Sequence, residues 1–198
     1  MPVNKPHLYQ PGIYFITFTN FKWLLLFELT NAYDLVYKWF DILQQKGHHV
    51  TGYVIMPNHI HALIGFTPGT QSINTMIGNA KRFMAYDIVN RLKLNKSTDI
   101  LSVLSAGVST SDKNNGKLHE VFKPSFDAKL CHSYAFINQK LNYIHNNPVS
   151  KKWDLVQFPG DYTHSSAGFY ETGRHGVYNV IHVTECIEKY WFEQYRRT

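Results

Sequence analysis

A pair of apolar runs separated by two turn residues constrains this fold most: "HVTGYVIM" (49–56) and "HIHALIGF" (59–66), joined by Pro57 and Asn58. Both runs have the length of a strand and are rich in β-branched and aromatic residues, and Pro-Asn is a turn signal. A turn this short joins antiparallel strands. The sequence therefore predicts a β-hairpin on which the other elements pack.

The segments around the hairpin predict further strands and helices. Apolar and aromatic patterns indicate strands over 12–20 and 119–131, the second one interrupted near Pro124. Helical periodicity predicts helices over 29–45, 71–93, 132–148 and 184–197. Gly47 is placed to end the first helix, and Ser133 to cap the helix over 132–148.

The order of these elements predicts the fold class. It is β-α-β-β-α-β, the split βαβ pattern, in which the first and third strands are central. We therefore expect an α+β fold with a ferredoxin-like antiparallel sheet covered by helices. The helix over 71–93 should place Ile73, Ile77, Phe83, Met84 and Ile88 inward.

The length and local composition predict how the chain is organised. The 198 residues suit one domain with a full core, and no internal repeat is visible. Residues 95–118 are rich in Ser, Asn, Asp and Gly, which predicts a mobile loop. Residues 174–198 are interpreted as a C-terminal extension.

Charge and hydropathy restrict the function classes. Lys and Arg total 20 against 14 acidic residues, a formal charge of +6, which suits a polyanionic partner such as nucleic acid. The chain has no apolar run of membrane-spanning length and no secretory pattern at its start. Its two cysteines, Cys131 and Cys186, lie far apart and form no CxxC motif. These features predict a cytoplasmic protein.

The third predicted strand carries two histidines in an otherwise apolar run. Strand alternation places His59 and His61 on one face and Ile60 on the other, with the two histidine Cα atoms about 6–7 Å apart. Both imidazoles could therefore bind one divalent cation, or they could simply line a half-buried face of the sheet. Two imidazoles with an oxygen donor suit Mg²⁺ or Mn²⁺ if a substrate phosphate completes the coordination.

A tyrosine and an asparagine on the later helix are candidate partners of the histidines. Tyr143 and Asn147 are four residues apart and share a helical face, and Lys140 lies one turn earlier. The alternative is a tyrosine on an ordinary polar face, since the chain has 13 tyrosines. Pro148 biases Asn147 away from helical geometry, so its amide is expected to lie off the ideal position.

Four motifs in this order resemble those of the REP-associated tyrosine transposases. They are "YVIMPNHIH", "FDAKL", "KLNYIHNNPV" and "YTHSSAGFY". These transposases are single-tyrosine members of the HUH superfamily of transposases and endonucleases, named for a His-hydrophobic-His motif, which here is His59-Ile60-His61. The resemblance implies an HUH-type catalytic palm in which Tyr143 is the nucleophile. It also implies that His59, His61 and Asn147 bind Mg²⁺ or Mn²⁺; Asp127, in "FDAKL", is a further oxygen donor or a structural hydrogen-bonding group.

The resemblance also implies a reaction and a substrate. The enzyme would cleave and rejoin single-stranded DNA beside a hairpin, at a REP-like element or an insertion-sequence end, through a 5′-phosphotyrosine intermediate. Lys81, Arg82, Arg91 and Lys140 are candidate phosphate contacts. The enzyme would be nucleoid-associated and a monomer or homodimer. One alternative is a domesticated hairpin-DNA-binding protein. Another is a replication-initiating nickase, and the absence of a helicase or primase portion disfavours this second alternative.

Overall fold

A four-stranded antiparallel sheet forms the centre of the molecule in a computed structural model, which describes residues 11–68 and 71–190. Its strands are β1 (Gly12–Thr19), β2 (His49–Met56), β3 (His59–Phe66) and β4 (Asp127–Leu130). The order across the sheet is β2-β3-β1-β4, so β1 and β3 are central, as predicted. The predicted α+β fold with split βαβ topology is confirmed.

Eight α-helices accompany the sheet within the described residues. They are α1 (Leu26–Leu29), α2 (Tyr33–Gln45), α3 (Ile73–Leu94), α4 (Thr98–Ala106), α5 (Thr110–Asn114), α6 (Tyr134–His145), α7 (Ala167–Thr172) and α8 (Val183–Tyr190). Gly47 follows the end of α2 with a φ of +80°, a left-handed conformation that favours glycine. The Ser133 side chain caps α6 by accepting the Phe136 N–H at 3.2 Å. Both of these helix boundaries were predicted.

One face of the sheet packs against α2 and α3. The even-numbered residues of β3 (Ile60, Ala62, Ile64 and Phe66) are all fully buried in this core. Phe83, predicted to point inward, is instead 59% exposed. Its neighbour Met84 is buried, and because adjacent helical positions lie about 100° apart, Phe83 lies at the exposed edge of the buried face.

The opposite face of the sheet packs against α6 and α8. Phe15 and Leu63 belong to this second core, together with residues from both helices. A Cβ on Gly52 would lie 2.6 Å from Cδ1 of Leu141 on α6, so the missing side chain lets the helix approach β2 closely. Gly52 also lies at the register shift between β2 and β3. The position of α6, which carries Tyr143, depends on this contact.

Residues 95–118 do not form the predicted loop, because they contain α4 and α5. Leu104 of α4 is fully buried in the first core, and Ser109 caps α5 by accepting the Asp112 N–H at 3.1 Å. The polar composition thus reflects a helix cap and exposed helix faces. The mobility of this segment stays a prediction.

The predicted strand over 119–131 is shorter than expected, and the role of residues 174–198 as a C-terminal extension stays a prediction. Within this segment, only Asp127–Leu130 pairs with β1 as a strand. Before Pro124, one isolated β-bridge joins Phe122 to Asn20. The C-terminal helix begins at Val183 and packs in the second core, and residues 191–197 of the predicted helix lie outside the described residues. Both cysteines are buried thiols that form no disulfide. No described helix is long and apolar enough to cross a membrane.

Candidate active site

The two histidines of β3 lie side by side on the face covered by α6. His59 is 5% exposed and His61 is 6% exposed. Their ring centroids are 4.7 Å apart, and the ring planes meet at 77°. The prediction that both imidazoles leave the strand on the same face is confirmed, but that face is buried rather than half-buried.

Asn58 fixes the orientation of His59. The Asn58 Nδ2 donates to the carbonyl oxygen of Trp23 at 2.9 Å, so its Oδ1 faces the Nδ1 of His59 at 2.7 Å. Since a carboxamide oxygen can only accept, the His59 Nδ1 carries the proton. The Nε2 of His59 therefore keeps its lone pair, which is the arrangement a metal-binding histidine needs.

His61 is held from the neighbouring central strand. Thr17 lies directly opposite His61 in the ladder between β1 and β3, and its Oγ1 is 2.7 Å from the His61 Nδ1. The ring also stacks on Phe15, with centroids 5.4 Å apart. These contacts engage Nδ1, so Nε2 is the nitrogen that could serve as a ligand.

Burial and nearby lysines favour the neutral form of both imidazoles. Burial lowers the pKa of His59 to about 4, and the positive charge of Lys152 contributes. Burial lowers the pKa of His61 to about 3, with smaller contributions from His59 and Lys140. A neutral imidazole is the form that binds a metal ion.

Tyr143 of α6 lies next to this pair. Its ring centroid is 5.0 Å from that of His61, and the side chain is 51% exposed. The Nζ of Lys140 is 5.9 Å from the Tyr143 ring centroid and 4.9 Å from the centroid of Phe15. The fold therefore brings the predicted nucleophile to the predicted ligands and adds a cation beside it.

Asn147 lies beyond the end of α6, because the helix ends at His145. The expectation that Asn147 shares a helical face with Tyr143 is therefore wrong, and Pro148 gives the physical reason. Asn147 is buried, and its backbone carbonyl accepts from the Ser150 hydroxyl at 2.7 Å. Its role as a third metal ligand stays a prediction.

The described part of the chain has no carboxylate in a cluster suited to a metal ion. No group of three His, Cys, Asp or Glu side chains that could hold a metal is found in it. Asp127 lies opposite Thr17 on the edge strand and is exposed. The donor chemistry at the histidine pair fits Mg²⁺ or Mn²⁺ only if a substrate phosphate supplies the negative charge.

Lys81, a predicted phosphate contact, is bound by the protein itself. Its Nζ donates to the backbone carbonyls of Lys123, Pro124 and Ser125 at 2.6, 3.1 and 3.4 Å. Burial lowers the pKa of Lys81 to about 8. The ammonium therefore ties α3 to the segment before β4, a structural role that the sequence did not reveal.

Arg91, another predicted phosphate contact, is also held within the fold. Its guanidinium donates to the carbonyl of Asn31 at 2.6 Å and to Asp34 Oδ2 at 2.8 Å. Arg82 is exposed and lies over the ring of Phe83. Of the four predicted phosphate contacts, the structure brings only Lys140 to the histidine pair.

Sequence reasoning missed the groups that hold and flank the two histidines. Asn58 was interpreted only as a turn residue, although its place directly before the first histidine was a usable signal. Thr17 could have been found only from the register of β1 against β3. Trp23 and Trp153 lie 6.0 and 5.8 Å from His59, measured between ring centroids, and neither carries a motif.

Comparison with known proteins bears on the fold. No protein-family model and no curated protein matches the chain. A solved structure of a REP-associated tyrosine transposase bound to a REP hairpin is 14% identical, with a TM-score of 0.55, and the match covers 92% of this chain and 93% of that one. A candidate transposase from Deinococcus radiodurans is 19% identical, with a TM-score of 0.41, covering 74% of this chain and 97% of that one. The chain thus has the fold of a REP-associated tyrosine transposase, as its motifs predicted.

Proposed function

We propose that the chain is a metal-dependent transposase or endonuclease that cleaves and rejoins single-stranded DNA through Tyr143. The observation that carries this proposal is the position of the Tyr143 ring, 5.0 Å from His61 and therefore beside the two candidate ligands. A partly exposed phenol next to two neutral imidazoles and a lysine is a suitable arrangement for attack on a phosphodiester.

The proposed reaction exchanges one phosphodiester for another. The Tyr143 oxygen attacks the phosphorus and loses its proton, the bond to the 3′-oxygen breaks, and that oxygen takes up a proton. The products are a 5′-phosphotyrosine and a free 3′-hydroxyl. Because the phosphodiester energy is retained, a 3′-hydroxyl can attack the intermediate and rejoin the strand without ATP.

Different residues of the site would stabilise the charges that develop during the reaction. Lys140 places a positive charge near the Tyr143 ring, where it stabilises a developing phenolate. His59, His61 and Asn147 would hold a Mg²⁺ or Mn²⁺ ion, which when bound supplies positive charge to an oxygen of the scissile phosphate. Asn58 and Thr17 keep the two imidazoles oriented for that role.

The proposed substrate is DNA with a hairpin beside an unpaired tract. The formal charge of +6 suits a polyanion, and the solved relative with this fold is bound to a REP hairpin. A single strand is proposed because the motifs that contain the histidines and Tyr143 resemble those of the REP-associated tyrosine transposases, whose substrate is single-stranded DNA beside a hairpin.

Trapping the covalent intermediate tests this proposal. The protein is incubated with an end-labelled pool of single-stranded DNA that carries one fixed hairpin between randomised flanks, with Mn²⁺, Mg²⁺ or EDTA. We expect a labelled protein band on a denaturing gel with either metal ion, none in EDTA, and none with Tyr143→Phe. Tyr134→Phe is the matched control, because Tyr134 is also an exposed tyrosine of α6, and it should form the adduct normally.

Two outcomes would overturn parts of the proposal. An adduct formed by Tyr143→Phe would exclude this residue as the nucleophile. Tight hairpin binding by the wild-type protein without any adduct would favour the domesticated DNA-binding protein over the enzyme.

A further inference from the structure

A basic and aromatic patch adjoins His59 on the side away from Tyr143. It consists of Trp23, Trp153, Lys123 and Lys152, and is called the tryptophan patch below. The Nζ of Lys123 is 4.1 Å from the Trp23 ring centroid. The Nζ of Lys152 is 4.8 Å from the Trp23 centroid and 5.6 Å from the Trp153 centroid. Trp23 is exposed, and Trp153 is partly buried against the second core. Aromatic rings interleaved with lysines are the composition that binds unpaired nucleotides, whose bases stack while their phosphates are neutralised.

Trp23 is presented to solvent by an unusual backbone. Its side chain is 47% exposed, and both Lys22 and Trp23 have positive φ, of 50° and 61°. Left-handed backbone in two successive residues that are not glycine persists only when the surroundings hold it, and it is concentrated at functional sites. Here the Trp23 carbonyl accepts from Asn58 Nδ2, and Asn20 Nδ2 donates to the Leu24 carbonyl at 3.1 Å.

The same Asn58 side chain contacts both the tryptophan patch and the histidine pair. Its Nδ2 holds the Trp23 carbonyl and its Oδ1 faces the Nδ1 of His59. The ring centroids of Trp23 and Trp153 lie 6.0 and 5.8 Å from the ring centroid of His59. A nucleotide bound to the tryptophan patch would therefore lie directly beside a phosphate held at the histidines.

The positions of Tyr143, the histidines and the tryptophans indicate on which side of the scissile phosphate this nucleotide lies. Tyr143 contacts His61, and the two tryptophans contact His59, so the histidine pair lies between nucleophile and patch. In phosphoryl transfer the attacking and leaving oxygens lie roughly in line on opposite sides of the phosphorus. With Tyr143 attacking from one end, the leaving 3′-oxygen departs toward the other end.

We propose that the tryptophan patch binds the nucleotide that carries the leaving 3′-oxygen and retains it after cleavage. This inference rests on the proposed function of Tyr143. After attack, the 5′ end is covalently attached to Tyr143, while the strand with the free 3′-hydroxyl is held only by noncovalent contacts. Stacking on Trp23 and Trp153 and the charge of Lys152 hold that hydroxyl beside the phosphotyrosine. There the 3′-oxygen can attack the phosphorus and lose its proton, the bond to the Tyr143 oxygen breaks, and Tyr143 is released as a protonated phenol while the original phosphodiester is restored.

Binding of a strand without a hairpin tests the patch independently of cleavage. Full-length protein is titrated with fluorescent oligothymidylate in EDTA, and fluorescence anisotropy gives the dissociation constant. We expect Trp23→Ala to weaken binding about tenfold and Trp23→Phe to weaken it much less, since a phenyl ring still stacks. Phe83→Ala is the matched control, because Phe83 is also an exposed ring beneath a basic residue but belongs to a helix on the opposite face of the sheet. Equal binding by wild type and Trp23→Ala would overturn the patch as a nucleotide site.

Rejoining tests the assigned direction. The hairpin pool is cleaved, the adduct is trapped by denaturation at successive times, and adduct and restored substrate are measured together. We expect Trp23→Ala and Lys152→Gln to accumulate several times more adduct than wild type, because the 3′-hydroxyl strand dissociates before it can attack. Circular dichroism confirms that both variants are folded, and Lys152→Arg, which keeps the positive charge, should accumulate less adduct than Lys152→Gln. An unchanged ratio of adduct to restored substrate in both Trp23→Ala and Lys152→Gln would overturn the retention role.

The two proposals fail in different ways. Suppose that the wild-type protein forms no adduct, and that it binds oligothymidylate while the Trp23→Ala variant does not. The patch then binds single strands, and the proposed enzymatic activity is wrong. If wild type forms the adduct while Trp23→Ala binds and rejoins normally, the enzyme stands and the patch proposal is wrong.

Discussion

The two faces of β3 are both buried, yet they differ in what they contain. Toward α2 and α3 the strand presents only apolar side chains, beginning with Ile60. Toward α6 it presents His59 and His61. The Nδ1 of His59 is hydrogen-bonded to Asn58, and the Nδ1 of His61 is hydrogen-bonded to Thr17. Burial alone therefore does not distinguish core from site. What distinguishes them is that the polar groups on one face are oriented by partners and lie next to a partly exposed tyrosine.

The largest expected contrast is between two adjacent residues, His61 and Ile60. We expect His61→Ala to abolish detectable adduct formation and to weaken Mn²⁺ binding, while changing the free energy of unfolding modestly, because burying an imidazole already costs solvation. Ile60→Ala should lower the free energy of unfolding by about 2–5 kcal/mol and leave Mn²⁺ affinity in the folded protein near that of wild type. Calorimetric Mn²⁺ titration and urea unfolding in EDTA measure the two effects. Similar losses of stability and metal affinity in both variants would remove the functional distinction between the faces.

A smaller effect is expected at Asn58, which does not itself reach the metal. Asn58→Ala removes the acceptor that holds the proton on the His59 Nδ1, so we expect Mn²⁺ affinity to fall about 10–100-fold. Asn58→Asp keeps an acceptor oxygen at this position and should retain more affinity than Asn58→Ala. The measurement is again calorimetric titration with Mn²⁺. If Asn58→Ala binds Mn²⁺ as tightly as wild type, the carboxamide does not prepare His59 as a ligand.

The smallest expected effect concerns the histidine pair's lack of a carboxylate partner among residues 11–68 and 71–190. Because lysines rather than acids surround the histidines, the phosphate of the DNA should supply the negative charge that the cation needs. We therefore expect single-stranded hairpin DNA to raise the Mn²⁺ affinity of Tyr143→Phe about tenfold, a coupling that must be reciprocal. Electron paramagnetic resonance of free Mn²⁺ measures this in the presence and absence of DNA. An affinity independent of DNA would mean that protein donors alone complete the site.

The hairpin could be predicted from the sequence because its pattern is local and strong. The predicted bounds 49–56 and 59–66 agree with β2 and β3, since alternation and the Pro-Asn turn both act over a few residues. The helix predicted over 29–45 is α2, which begins only at Tyr33, after Asn31 with its φ of 46°. Residues 95–118 were misassigned because the same Ser and Asp residues that favour loops also cap helices.

The roles of the basic residues could not be predicted, because their partners are distant in sequence. Lys81 donates to carbonyls of residues 123–125, and Arg91 to those of residues 30 and 31. A backbone carbonyl carries no sequence signal, so a buried structural lysine and an exposed phosphate contact look alike in the sequence. The tryptophan patch could not be predicted for the same reason, because residues 23 and 152 meet only in the folded chain.

The hairpin that joins Asn58 to the two histidines also has a consequence for the order of folding. Asn58, His59 and His61 lie within a few residues of one another, and their β-strand partners, β1 and β2, precede them in the chain. Local hairpins form faster than contacts between distant segments, and segments near the N-terminus leave the ribosome first. The two histidines can therefore take up their positions before α6 has been synthesised. Since Tyr143 arrives only when α6 docks against Gly52 of β2, we expect a nascent chain to orient His59 and His61 before the proposed nucleophile reaches them.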